Sequence, residues 1–236
     1  MKGLSSALLE MSAKSFYPLL SYNSETDRVC RLDLSAANKQ LDASVFNDTE
    51  SFSRFISHTL ESRNCRYGFG GYNELRGIYS RSEVFDSLQQ EEPRRLHLGI
   101  DIWGAAGTAI YSFMQGKIHS FAFNDRFGDY GVTIILQHEL QDLTFYTLYG
   151  HLSLADMDQW EEGDMVEAGQ LLAHFGLPAE NGHWPPHLHL QLIQDMEGYK
   201  GDYPGVCRYS ERQHYLNNCP DPWPVLAASF DGAVIE

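Results

Sequence analysis

Between Leu96 and Ile193 the chain runs in short stretches of β-branched, aromatic and leucine residues separated by Gly, Asn and Asp: LHLGIDIW, AIYSFMQGKIHSFAF, GVTIILQHEL, LTFYTLYGHL, QLLAHFG and HLHLQLI. Alternation with a period of two, bounded by turn residues, predicts strands. The stretches together read as an antiparallel β domain with one face of each strand turned to a core. Upstream the pattern changes. Residues 1–66 lack alternation, and their best local signal is NDTESFSRFISHTLES. There Asn47, Asp48 or Thr49 is placed to cap a helix presenting Phe52, Phe55, Ile56 and Leu60 on one side. From Tyr67, glycine and aromatics crowd together in YGFGGYNELRG, which predicts turns or close backbone approach and the start of the core. The tail, DYPGVCRYSERQHYLNNCPDPWPVL, carries Pro, Gly and aromatics without a period. It reads as an ordered strap across the core.

Hydrophobic residues make up 43% of the 236 positions and charged residues 21%, which suits a packed globular protein and excludes a disordered one. A formal net charge of −15 disfavours binding to nucleic acid phosphates or anionic lipid. No run reaches the ~18 apolar residues of a membrane-spanning helix, so the chain is expected to be soluble with no membrane span. In the leading segment MKGLSSALLEMSAKSF, Glu10 interrupts an apolar run already too short for a signal peptide. A cytoplasmic setting is expected on that ground. Cys30, Cys65, Cys207 and Cys219 lack the density and spacing of a disulfide scaffold or a thiolate zinc site. They read as reduced thiols, with a Cys207–Cys219 bridge geometrically open. The oligomeric state is not legible.

Three stretches carry chemistry. In LHLGIDIW an extended chain puts His97, Gly99 and Asp101 on one face and Leu98, Ile100 and Ile102 on the other. In HLHLQLI, His187 and His189 face one way while Leu188, Leu190 and Leu192 face the core. TLYGHL ends a strand on His151, directly after Gly150, where the backbone can bend close to a ligand. Each alone also fits a plain structural account, a solvated strand face for the first and an exposed edge strand for the second. Together they supply the imidazole and carboxylate ligands zinc prefers, with five candidates for three ligand positions and two left over for proton chemistry. A purely structural zinc clamp commonly uses four ligands rich in cysteine, and no such cluster is present.

HLGID, YGHL and HLH, in that order and spacing, resemble the lysostaphin/LytM-type zinc endopeptidases of peptidoglycan, over residues 94–194 and including GDMVEAGQLLAHFG. The resemblance implies a mainly β, antiparallel two-sheet fold (the duplicated hybrid motif) with the site in a groove across one sheet. It also implies a Zn2+ cofactor held by His97, Asp101 and His189, with His151 and His187 as the catalytic pair. His187 would act as general base and His151 would stabilise the oxyanion or share the proton relay. The implied activity is a zinc metalloendopeptidase cutting a peptidoglycan-type cross-link or a related small peptide. The alternative is a non-catalytic module binding a peptide or amino-acid derivative. The domains are then a partly helical N-terminal extension (1–66) and the peptidase domain (67–236), with its catalytic core at 94–194 and a strap at 195–236.

A second likeness extends over residues 95–222. HLGIDIW, GDYGVTIILQHEL, TFYTLYGHLS, NGHWPPHLH, GDYPGVC and NCPDP look like a peptidase-like domain found fused to aminotransferase and small-molecule kinase modules, which implies an intracellular setting and a small amino-acid or peptide-like substrate. The chain also departs from the peptidoglycan enzymes. PAENGHWPP replaces the small-residue stretch before the histidine pair, so the groove is expected to differ. Trp184 offers a rigid platform there, and Pro185–Pro186 a structural corner. His183 reads as a loop residue. His58, His119, His138, His174 and His214 read as surface or satisfied core residues. Glu74, Arg76, Arg81 and Glu83 are placed to line the groove, with Asn73 or Glu74 as a candidate plug for the open metal position.

Overall fold

Asp48 starts the longest helix among the described residues because its carboxylate accepts from the Ser51 amide at 2.7 Å, satisfying a donor that would otherwise be orphaned at the helix end. The computed structural model describes residues 3–11, 15–86 and 92–230; the start of the leading segment and the last residues of the strap fall outside them. In the N-terminal part lie helices α1 (Leu4–Glu10), α2 (Ala43–Phe46) and α3 (Thr49–Ser62). Of the three expected caps for α3, Asn47 instead closes α2 and Thr49 is already helical. The apolar spacing works as read: Phe52, Ile56 and Leu60 are buried and Phe55 packs partly against the same cluster.

The strands in chain order are β1 (Val29–Arg31), β2 (Tyr67–Gly70), β3 (Glu74–Leu75), β4 (Leu96–His97), β5 (Ile100–Trp103), β6 (Ala109–Tyr111) and β7 (Gly116–Asn124). They continue as β8 (Gly131–Leu140), β9 (Leu143–Leu152), β10 (Met165–Val166), β11 (Leu171–His174), β12 (His187–Ile193) and β13 (Val206–Cys207). Eight form one sheet in the order β1-β2-β5-β12-β9-β8-β7-β10, antiparallel apart from the β1–β2 pair. Two small antiparallel sheets, β11-β6 and β13-β4-β3, complete the mainly β architecture. The predicted extension therefore contributes an edge strand of the main sheet. The strap contributes β13 and two short helices, α4 (Arg212–Asn218) and α5 (Trp223–Leu226).

One face of the main sheet builds the core. Ile100 and Ile102 of β5, Leu188, Leu190 and Leu192 of β12 and Tyr149 of β9 share a buried cluster with Leu4 and Leu8 of α1, Ile110 of β6 and Leu172 of β11. The opposite half of β5 and β12 carries Asp101, His187, His189 and Gln191, with Trp103 and Ile193 packed in separate clusters.

LHLGIDIW is two strands rather than one. β4 lies between β3 and β13 in a small sheet, while β5 lies between β2 and β12 in the main one. Gly99 makes the break possible. A Cβ there would stand 2.6 Å from the Leu190 carbonyl oxygen and 2.7 Å from His189 Cε1, so only glycine lets the chain pass this close to β12. HLHLQLI likewise is no edge strand. It lies between β5 and β9 with all seven residues buried. All four cysteines are buried free thiols, Cys207 and Cys219 included.

Candidate metal centre and active site

His189 lies directly opposite both Asp101 on β5 and Gly150 on β9, so strand register alone brings HLGID, YGHL and HLH together. The small sheet delivers His97 from the side. The result is a meeting of three buried atoms: His97 Nε2 is 2.9 Å from His189 Nδ1, and Asp101 Oδ1 is 3.1 Å from His189 Nδ1 and 3.3 Å from His97 Nε2. Among the described residues this trio is the group of side chains that could hold a metal ion.

The protons on these rings are fixed by their outer partners. His97 Nδ1 donates to the Gly71 carbonyl at 2.9 Å, which leaves Nε2 with a lone pair. Gln191 Nε2 donates to the Pro204 carbonyl at 3.1 Å and to Cys219 Sγ at 3.2 Å. Its Oε1 must then accept from His189 Nε2 at 3.0 Å, leaving Nδ1 with a lone pair. Three acceptors thus converge with no proton between them, an arrangement that is repulsive unless a cation sits among them. Three ligands ~2.0–2.1 Å from a tetrahedral centre stand roughly 3.3 Å apart; the separations here are of that size. The residues present fit zinc, and outer acceptors that fix the ring tautomers are what metal-binding histidines ordinarily carry.

Asp101 pairs through its other oxygen, Oδ2, with Arg76 Nη1 at 2.5 Å, and Arg76 Nε pairs with Glu74 at 2.6 Å. Burial alone would raise the Asp101 carboxyl, but the Arg76 guanidinium against it outweighs this and holds the group well below the usual carboxylate range. Burial also holds His97 down to about 4. His97 is therefore neutral at pH 7, and Arg76 is the cation acting on Asp101.

His151 and His187 lie beside this centre, their rings 4.1 Å apart. His187 Nδ1 donates to the Pro185 carbonyl at 2.7 Å and its ring stacks on Trp103 at 3.9 Å. His151 Nδ1 donates to the Asn181 carbonyl at 2.8 Å. Both rings thus present a bare Nε2, and His187 Nε2 stands 3.9 Å from Asp101 Oδ1. Burial lowers His187 to about 4. Burial, reinforced by His187 and His189, holds His151 well below the ordinary histidine value. His151 has φ +64°, a left-handed conformation that costs a non-glycine residue about 1–3 kcal/mol and clusters at functional sites. It is the most accessible of the five, at 7%.

All five line a cleft of about 200 Å³. Tyr79, Tyr130, Trp184 and Tyr203 supply aromatic walls, and Arg94, Arg126, Asp129 and Asp202 add charge. Trp184 is held by its indole N–H on the Asp129 carbonyl at 3.1 Å, so it is both wall and corner. Of the expected groove residues Arg76 lines the cleft, while Glu74, Arg81 and Glu83 do not. Neither expected plug residue lines the cleft: Glu74 is paired with Arg76, and Asn73, at φ +54°, places its backbone N–H on the His97 carbonyl. His183 sits on a turn at φ +65°. Of the remaining histidines, His138 is fully buried and His174 is paired with Asp156. Sequence reasoning missed Gln191 and the backbone acceptors. The same alternation that pairs His187 with His189 would have reached Gln191, two residues further on the same face.

Residues 95–200 match the family model "Peptidase family M23". The L-Ala--D-Glu endopeptidase of Bacillus subtilis (strain 168) is 28% identical over 127 residues, covering 51% of this chain and 36% of that protein. A zinc containing peptidase from Vibrio cholerae is 26% identical with a TM-score of 0.32, covering 42% of this chain and 27% of that one. The catalytic domain of lysostaphin from Staphylococcus simulans is 24% identical with a TM-score of 0.38, covering 56% of this chain and 80% of that one. The chain thus spans about a third of the length of the curated relative it matches. Among the described residues no helix is long and apolar enough to cross a membrane.

Proposed function

We propose that this chain is a zinc-dependent endopeptidase that hydrolyses a peptide bond in a short peptide of the peptidoglycan type, with His97, Asp101 and His189 as metal ligands and His151 and His187 as the acid/base pair. The observation that carries this is the convergence of His97 Nε2, His189 Nδ1 and Asp101 Oδ1, each stripped of a proton by an outer acceptor or by ionisation. The bond named for the Bacillus relative, between L-Ala and D-Glu, supplies the substrate class.

Zinc in such a site polarises the scissile carbonyl and lowers the pKa of a water toward ~7. The remaining work falls to the chain. Because burial keeps both catalytic histidines neutral, each meets the water as a base through Nε2. His187, oriented by Pro185 and clamped against Trp103, takes the proton as the water oxygen bonds to the carbonyl carbon. The C–N bond then breaks, and His187 returns that proton to the leaving amine nitrogen. His151 in its resting tautomer can only accept at Nε2, so it donates to the developing oxyanion only after gaining a proton. With its ring 4.1 Å from His187, it belongs to one relay in which a second proton is opposed by repulsion.

The test is metal content measured by mass spectrometry on protein purified without chelator or added metal, beside His189→Ala and His187→Ala, followed by hydrolysis of L-Ala–D-Glu-containing peptides. The expected result is about one zinc per chain, lost in His189→Ala and kept in His187→Ala, with hydrolysis abolished in both. No zinc in the wild type even with excess metal overturns the proposal. Zinc without hydrolysis would leave a peptide-binding module on the same fold.

A further inference from the structure

Arg76 is a guanidinium with 2% of its surface exposed, at the wall of a cleft. A buried cation is costly unless it is paired and hydrogen-bonded, and the chain builds a slot to hold this one. Nε meets Glu74 Oε2 at 2.6 Å, and Nη1 meets Asp101 Oδ2 at 2.5 Å and the Tyr79 hydroxyl at 3.2 Å. Nη2 has no partner among the described residues and lies over Gly71. A Cβ at Gly71 would fall 1.8 Å from it, so the absent side chain at that position is the space the guanidinium fills. The β3–β4 register sets Glu74 opposite His97, and Arg76, two residues on, reaches the metal-ligand carboxylate through its side chain.

We propose that Arg76 is a positioning residue for metal binding: by occupying Oδ2 of Asp101 it leaves Oδ1 alone to face the imidazole lone pairs of His97 and His189, and so sets the site for a four-coordinate cation. This rests on the zinc reading above. A free carboxylate can grip a cation with both oxygens, as in the larger coordination shells of calcium, whereas a tetrahedral zinc site takes one oxygen per position. Here one oxygen is already spoken for, at a geometry fixed by a planar fork with a second carboxylate behind it. Glu74 balances the guanidinium, so Arg76 orients Asp101 without leaving an uncompensated positive charge beside the place where a divalent cation must enter.

The experiment compares wild type, Arg76→Lys, and the double variant Arg76→Met with Glu74→Gln, which removes both charges of the pair together. Zinc affinity is measured by chelator competition, the visible absorption of the Co2+-loaded apoprotein reports coordination number, and thermal unfolding reports the fold. The wild type is expected to give the intense bands of four-coordinate Co2+. Both variants are expected to fold, to bind zinc about 10–100-fold more weakly, and to show weaker bands as Oδ2 swings in. Arg76→Lys, which restores a charge but not the fork, should fall between the double variant and wild type. Wild-type affinity and spectrum in either variant would overturn the proposal. So would weak, higher-coordinate bands in the wild type itself, a result that decides the matter even if both variants unfold. A wild type that takes up no metal instead refutes the zinc reading, and is recognised as such before any variant is made.

Discussion

Gln191 should govern zinc affinity although it touches no metal. It is fully buried, and its amide is oriented by two donations, to the Pro204 carbonyl and to Cys219 Sγ. That orientation forces Oε1 onto His189 Nε2 and keeps the ligand lone pair on Nδ1. In Gln191→Leu the volume is nearly kept, but the proton on Nε2 loses its acceptor. The tautomer protonated at Nδ1 is then no longer disfavoured, and it cannot ligate. Loss of such an outer partner typically weakens metal binding 10–100-fold, or about 1.4–2.7 kcal/mol. An unsatisfied buried donor should also lower stability by about 1–3 kcal/mol. Gln191→Glu separates the two effects. Its carboxylate still accepts from His189 Nε2, so zinc affinity should stay within a few-fold of wild type. Its second oxygen now meets the Pro204 carbonyl, so stability should fall. Chelator competition gives the affinities and thermal unfolding of the apoprotein gives the stabilities. Wild-type zinc affinity in Gln191→Leu, or an equal loss in both variants, would refute tautomer control.

Two further outcomes follow from packing and burial. Phe52 of α3 is fully buried between Trp103 and Trp184, with ring centroids at 6.0 and 6.4 Å; Phe52→Ala should cost about 3–5 kcal/mol in urea unfolding, and a cost below 1 kcal/mol would contradict the idea that this helix is part of the folded core. Burial pushes His138 down to about 4, against a single bond to the Gln115 carbonyl. The unfolded chain therefore binds the extra proton first, so stability is fully present above pH ~6.5 and is lost as pH falls toward 4, by at most about 3 kcal/mol from this group. His138→Phe should flatten that part of the stability profile, and an unchanged slope would assign the acid sensitivity elsewhere.

The strands, the α3 face and the shared face of His187 and His189 were legible because each depends on local periodicity. Leu188, Leu190 and Leu192 alternate with His187, His189 and Gln191 whatever surrounds them, and Phe52, Ile56 and Leu60 share a helix face by the same kind of arithmetic. The break of LHLGIDIW at Gly99 was not legible. It depends on how closely β12 passes, and that is a property of strand order. The central place of HLHLQLI was hidden for a similar reason, since an edge strand and a buried polar-faced strand show the same alternation. Glu74 and Arg76 were visible as charged groove candidates, but the assignment of a plug failed because the sequence does not say that Arg76 claims Glu74 before any cation can.

By itself, then, the sequence determined which side chains could act: two imidazoles on one strand face, an imidazole and a carboxylate four residues apart, a fifth imidazole after a glycine, and an apolar backing for each. Only the tertiary structure decided which atom of each points where. The lone pairs of His97 and His189 are set by a carbonyl 26 residues away, at Gly71, and by a glutamine whose own direction depends on Pro204 and Cys219. The free oxygen of Asp101 is set by Arg76. Hydrogen bonds are directional and act over about 3 Å, so proton placement belongs to neighbours that folding brings together and that no local pattern encodes.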